Sequence, residues 1–220
     1  MVRKTVFSRE DVIAAGLAVV EQEGLVQMSA RRVAEEMGAS TAPVYSNFAS
    51  MDDLESAVKQ AAVDLMLDAI TRQYTNDRFQ NMGIGVLEFA WSRPRLYKAL
   101  FLECQAKHKM VTDVMDRLLG ILAQEPALAD LAPSERFILL KKMAIFTHGL
   151  ATDICTGNST RFSKEQVLFL LNEVGEVVTR DALTRPPRTE EEIAILSSFD
   201  HCGSGETARL STLPEEDEKP

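Results

Sequence analysis

The sequence predicts an all-α fold, and two observations carry that expectation. Apolar residues recur at intervals of three and four rather than alternating. The apolar runs are separated by Gly, Pro and Ser/Thr caps, with no Asn-Gly or Asp-Gly hairpin signal among them. At 220 residues and 45% hydrophobic content, the chain can bury one substantial core. No window reaches the ~18 uninterrupted apolar residues of a membrane span, and the opening MVRKTVFSREDV carries charge with no apolar run behind it. The expected location is therefore the cytoplasm, with no membrane partner.

The first helix is expected over about 9–23. Ser8 caps it with Asp11 three residues on, Val12, Ala15, Leu17, Ala18 and Val19 supply an apolar face, and Gly24 stops it. Ser29 opens a second helix that ends at Gly38. Ser40 is read as the cap of a third, which puts Pro43 at the third helical position, where the backbone N–H has no intrahelical partner to lose. From Met51 onward, Leu54, Ala57, Val58, Ala61, Ala62, Leu65 and Ile70 fall on one face, so a single long helix over about 52–74 is expected to connect two regions. Further helices follow at about 77–92, 94–106, 110–124, 134–156 and 163–182, separated by Pro94, Lys109, Pro126, Pro133 and the run GNSTR. Pro186 and Pro187 close the compact part. Thr189 with Glu192 caps a short helix through Leu196, and the polar, acidic GSGETARLSTLPEEDEKP has too little to bury and is expected to be mobile.

The net charge of −9 argues against a nucleic-acid partner until its distribution is read. Residues 1–50 hold five Lys/Arg against six Asp/Glu, whereas residues 189–220 hold two against nine, so most of the acidity lies in the tail. Cys104, Cys155 and Cys202 are odd in number, far apart and outside any CxxC spacing, which argues for reduced thiols rather than a disulfide framework or structural zinc.

Within residues 29–48 the order is cap, apolar face (Ala30, Val33, Ala34, Met37), the corner Gly38, then a short helix with Val44 inward and Phe48 in the core. Two short helices meeting across a glycine corner make helix-turn-helix geometry. These residues resemble the DNA-binding domain of the TetR family of transcriptional regulators. Its pattern of small-to-apolar, Ala, two variable positions, apolar, Gly, apolar, Ser, then Tyr and Phe is met by VAEEMGASTAPVYSNF without a gap, and the resemblance extends through helix one and into Leu54. It implies that Thr41, Ala42 and Ser46 face base edges in the major groove, while Tyr45 and the Ser29 end of helix two hold phosphates. The residue types suit those tasks. Hydroxyls and helix N-termini donate to phosphate, Thr and Ala methyls can touch a thymine methyl, and Arg31, Arg32, Arg3 and Lys4 supply charge that displaces counterions. One position departs from the family, which usually has a Lys three residues after the Phe. Here that residue is Met51, so weaker or differently anchored backbone contact is expected there.

A single helix-turn-helix reads one half-site, and a homodimer is the usual way to reach two successive major grooves. The helix at 134–156 carries one apolar stripe of Phe137, Leu140, Ala144, Ala151 and Ile154 and a second of Leu139, Met143, Phe146 and Leu150. The helix at 163–182 follows with Val167, Leu170, Leu171, Val174, Val177 and Val178, plus Gly175 for close approach. Two such helices from each of two subunits would form a four-helix interface, as the resemblance also implies. Phe137, Leu140, Ala144, Ala151, Val167, Leu171, Val174 and Val178 are the expected dimer contacts. Similarity to the family further suggests a small-molecule effector site among Phe79, Met82, Phe89, Trp91, Tyr97, Phe101, Met110 and Met115, with no effector class implied. No cofactor is expected.

The domain plan is therefore a helix-turn-helix DNA-binding domain at 1–50, a helical effector-binding and dimerisation domain at 51–188, and an acidic tail at 189–220. The expected function is a ligand-responsive homodimeric repressor that reads a palindromic DNA operator with the helix starting near Thr41. Two alternatives stand beside it. Cys104 and His108, at i and i+4, are half of a metal-sensing site that Cys155 or His148 would complete. A helical adaptor that only dimerises is the other. An enzyme is not expected: His148 and Asp153 point about 140° apart on a helix, His148 and Cys155 lie about 10 Å apart along it, and no Gly-rich phosphate loop is present.

Overall fold

In this computed structural model of the protein the described residues are 7–103, 108–157 and 162–197, with 108–113 and 197 described by backbone alone. The chain divides into two compact units, residues 1–187 and 188–220. Among the described residues the regular structure is ten α-helices with two single 3₁₀ turns and no strand.

Helix α1 (Arg9–Glu23) begins in a capping box. The Ser8 hydroxyl accepts from the Asp11 N–H at 3.1 Å while the Asp11 carboxylate accepts from the Ser8 N–H at 2.8 Å. Gly24 ends the helix at φ 95°, a backbone conformation that favours glycine. After a 3₁₀ turn (Leu25–Gln27) come α2 (Ala30–Glu36) and α3 (Ala42–Asn47). These three helices pack on one another, and α1 also lies against α4 (Met51–Ile70). Gly16 lets α1 and α4 approach closely, since a Cβ there would sit 2.6 Å from a Val58 methyl.

Helix α4 ends at Ile70, earlier than the periodicity of 52–74 suggests. The reason is a buried amide beyond it. Asn81 Oδ1 accepts from the Tyr74 N–H (3.2 Å), the Thr75 N–H (2.7 Å) and the Thr75 hydroxyl (2.9 Å), while its Nδ2 donates to the Thr75 carbonyl (3.0 Å). That network takes residues 74 and 75 out of the helical ladder and turns the chain into α5 (Arg78–Ser92), which Asp77 caps.

Helix α5 packs against α4, α6 (Pro94–Phe101), α8 (Pro133–Thr156) and α9 (Lys164–Thr184), with α7 (His108–Leu122) laid on α8. Helix α6 stops at Phe101, short of the expected 106, with the Leu102 and Glu103 N–H groups both donating to the Lys98 carbonyl (2.8 and 2.9 Å). Gly85, like Gly16, sits where helices of the chain pack closely, and Gly175 does not. A Cβ on Gly85 would overlap the Ala69 carbonyl and the Ile70 Cα of α4, whereas one on Gly175 would meet only Met143 at an ordinary 3.7 Å. One buried apolar cluster runs from Val12, Val33 and Val44 through Leu54, Val58 and Ile70 to Phe89, Leu139 and Leu171. The N-terminal helices and the helices behind them thus share one core.

In the second unit, α10 (Glu190–Ser197) opens with the reciprocal cap expected at Thr189: the Thr189 N–H donates to Glu192 at 2.8 Å and the Glu192 N–H donates to the Thr189 hydroxyl at 3.2 Å. The stretch expected to be mobile lies outside the described residues, as do Arg3 and Lys4.

Candidate nucleic-acid interface

Helix α2 buries Ala30, Val33 and Ala34 against α1 and is capped by the Ser29 hydroxyl, which accepts the Arg32 N–H at 3.3 Å. Its end is a Schellman motif. The Ala39 N–H donates to the Ala34 carbonyl (2.9 Å) and the Gly38 N–H to the Glu35 carbonyl (3.1 Å), with Gly38 at φ 63°. The corner glycine of the sequence pattern therefore has a physical task, since a side chain there would be held in the left-handed region.

Helix α3 starts one residue later than its text suggests. Thr41, in helical geometry and without a side-chain cap bond, occupies the N-cap position, so Ser40 does not cap this helix and Pro43 sits at its second residue. The proline still costs no hydrogen bond, because the first turn has no intrahelical acceptors for its N–H groups. Val44 and Phe48 are buried, and the Arg9 guanidinium lies 4.5 Å from the Phe48 ring centroid. Asn47 Nδ2 donates to the Pro43 carbonyl (2.9 Å) and to the Phe7 carbonyl (3.3 Å), tying α3 to the segment ahead of α1.

What remains outward is Ala42, Tyr45 and Ser46, at i, i+3 and i+4 on one face, with Thr41 half-buried at its edge. Tyr45 is 60% exposed, a large ring left mostly in water. The Ser46 hydroxyl donates to the Pro43 carbonyl at 3.0 Å, which leaves its oxygen free to accept. Met51, the first residue of α4, is half-buried and packs on the core, so an apolar contact stands where the family pattern carries a cation.

The two arginines of α2 differ in setting. Arg31 Nε donates to Glu35 Oε1 at 2.9 Å. Arg32 is held by two carboxylates at once, Glu35 one turn on and Glu23 at the end of α1. Hydrogen bonding from Arg32 holds the Glu23 carboxyl below the usual glutamate range, and Arg32 followed by Arg31 does the same to Glu35. The same bonds raise the Arg32 guanidinium further above its already high value. The Arg31–Glu35 spacing is legible in the sequence as an i,i+4 pair; the Arg32–Glu23 bond across two helices is not.

Behind this head, α6 grips the end of α1. Arg93 pairs with the Glu21 carboxylate, and Arg95 donates to the Glu21 carbonyl at 3.0 Å. Further along α6, the buried Tyr97 hydroxyl lies 2.7 Å from His148 Nδ1 of α8, with Phe101 packed on both rings. Burial raises the Tyr97 phenol above its ordinary value and pushes the Cys155 thiol up to about 11. Cys155 donates to the Ala90 carbonyl at 3.8 Å, so at neutral pH it is a protonated thiol in the core. The side chains of Cys104 and His108 lie outside the described residues, and among those described no group of three or more His, Cys, Asp or Glu is placed to hold a metal ion.

Of the expected dimer contacts, Leu140, Ala151, Val167 and Leu171 are buried inside the single chain, because α8 and α9 press those faces onto α5 and each other. Phe137, Ala144, Val174 and Val178 are half-buried at the margins. The exposed large apolar side chains on these helices are Ile145 (64%), Phe169 (66%), Val177 (61%), Leu183 (47%) and Leu170 (39%). Helical spacing picked out Leu170 and Val177 without saying which face the chain consumes, and it passed over Ile145, Phe169 and Leu183.

The resemblance in architecture to solved proteins is extensive. A TetR-like transcriptional regulator from Rhodococcus sp. RHA1 superposes with a TM-score of 0.59 at 17% identity over 84% of this chain and 100% of that one. A protein of unknown function from the same organism gives 0.62 at 18% identity over 82% and 98%. The multidrug binding protein EbrR, complexed with imidazole, gives 0.54 at 18% identity over 83% and 97%. No protein-family model matches the chain, and no curated protein matches it in sequence. The chain has the fold of TetR-like transcriptional regulators. Among the described residues no helix is long and apolar enough to cross a membrane.

Proposed function

We propose that this chain is a DNA-binding transcriptional regulator of the TetR family, a homodimeric, ligand-responsive repressor that reads a palindromic operator with α3. One observation carries the reading. A short helix anchored inward by Val44 and Phe48 presents Ala42, Tyr45 and Ser46 outward, with an uncovered aromatic at its centre. A side chain of that size left in water beside a helix-turn-helix corner suits a surface whose partner is the duplex. Thr41 and Ser46 are the base-edge candidates beside Ala42, and Tyr45 and Ser29 the phosphate contacts.

Dimerisation through α8 and α9 follows from their uncovered apolar residues, Ile145, Phe169, Leu170 and Val177. Gly149 adds support: it is exposed in mid-helix with nothing among the described residues within 4 Å of where a Cβ would lie, so their packing gives no reason for it, and a closely approaching second helix would. An effector bound among α5–α8 would act by favouring the dimer geometry whose head separation misfits the operator. The ligand-bound state of EbrR is consistent with a small-molecule effector and leaves its class open.

A gel shift with duplex DNA taken from the flanks of the coding region tests the reading. The wild type binds and Tyr45→Ala weakens binding by about tenfold or more, a loss of ~1.4 kcal/mol or above. If Tyr45→Ala binds as well as the wild type, the reading fails; if neither binds, a dimeric adaptor replaces it.

A further inference from the structure

We propose that Glu35 is a built-in competitor for the DNA backbone: it holds Arg31 in the free protein, and Arg31 trades that carboxylate for a phosphate when the head binds. The inference rests on the reading of residues 29–48 as a DNA-binding head.

The starting point is a census of positive charge. Among the described residues up to 50, the cations are Arg9, Arg31 and Arg32. Arg9 lies over the Phe48 ring, Arg32 is shared between Glu23 and Glu35, and Arg31 is bonded to Glu35. Met51 adds no cation. A duplex is bound largely through cations that displace its condensed counterions, so the described guanidinium groups of this head, all engaged, add a charged phosphate contact only when one of them is released.

Geometry selects which one. The Arg32 side chain is 35% exposed and, itself on α2, is bonded both to Glu23, the last residue of α1, and to Glu35 in the last turn of α2, so freeing it would undo a strut between two helices of the head. The Arg31 side chain is 86% exposed and has a single carboxylate partner on its own helix. It also stands in the first turn of α2, two residues from Ser29. An exposed pair of this kind is screened by water and salt and is weak, whereas a phosphate offers the same guanidinium a bidentate partner and the entropy of a released counterion. The exchange needs only rotation of the Arg31 side chain. Glu35 thus cancels the charge of Arg31 in the free head and lowers its affinity for DNA in general.

The test measures binding of the full-length chain to a fluorescent duplex from the flanks of the coding region, at several salt concentrations. Glu35→Gln tightens binding about three- to tenfold. Glu36→Gln makes the same charge change at the next residue without disturbing Arg31 and gives a smaller effect. In the Arg31→Ala background the Glu35→Gln gain disappears. Arg31→Ala alone also flattens the dependence of log affinity on log salt by about one for each head, because one phosphate contact is lost. Melting curves run alongside show Glu35→Gln still folded, since Arg32 keeps Glu23; should it melt below the assay temperature, the Arg31→Ala slope decides alone. An unchanged affinity in Glu35→Gln, a gain that survives in Arg31→Ala, or an unchanged slope in Arg31→Ala overturns the inference and leaves the DNA-binding reading intact. Absence of binding by every variant sinks both.

Discussion

Asn81 illustrates how one polar side chain fixes an architecture. It is 6% exposed, accepts three hydrogen bonds and donates one, and so ends α4 and aims α5. Asn81→Ala leaves the Tyr74 and Thr75 N–H groups without this acceptor, and urea denaturation should show a loss of about 1–3 kcal/mol, the range for orphaned buried groups. The carboxylates of the head give a second expectation. Glu23 and Glu35 have folded values lowered from 4.5, so the unfolded chain binds protons more readily than the folded one. Their contribution is complete above the unfolded value and is lost as pH falls through it toward the folded one. Thermal unfolding midpoints measured from pH 6 downward should therefore fall less steeply in Glu35→Gln than in the wild type below about pH 4.5.

Among the helices, α4, α5 and α6 decide how the head is carried. The α4–α5 crossing depends on Gly85, where any side chain meets α4 backbone rather than a yielding side-chain tip. Gly85→Ala should cost about 1–3 kcal/mol by forcing the helices apart, readable as a lowered urea midpoint. Helix α6 holds the far end of α1 through Arg93 and Arg95 at Glu21, a hold independent of the covalent path through α4. That pair is more than a third exposed, so Glu21→Ala should change stability by well under about 1 kcal/mol. Its consequence is mechanical instead: hydrogen exchange at the end of α1 should rise in Glu21→Ala, while exchange in α5 stays as in the wild type.

Taken together, the head and the helices behind it share one continuous core, so a change of shape among α5, α6 and α8 cannot stop at a domain boundary before reaching α1 and α4. On the reading proposed above, a second copy is needed as well, since one head reaches a single half-site. Val177→Glu places a charge in the uncovered apolar face of α9. Light scattering should then report a monomer, and affinity for the flanking-DNA duplex should fall by about a hundredfold or more, as the two half-sites no longer act as one. A dimeric Val177→Glu protein would move the interface away from this face.

Much of this was readable from residue order, and for a local reason. Caps, glycine corners and apolar spacing act over a few residues, which is why Ser8, Gly24, Gly38, Val44 and Phe48 stand in the structure as the text implies, and why the helix-turn-helix pattern was recognisable at all. The shift of the α3 cap from Ser40 to Thr41 and the early end of α4 mark the edge of that reach. Both are set by bonds to groups outside the helix concerned or by the geometry of a corner. Folding in three dimensions settled the rest. Which stripe of α8 and α9 is spent inside the chain depends on where α5 lies, and that Arg32 braces two helices depends on Glu23, nine residues back on another helix. Periodicity says that a face is apolar and composition says that a cation is present; burial and pairing are properties of neighbours brought together by packing.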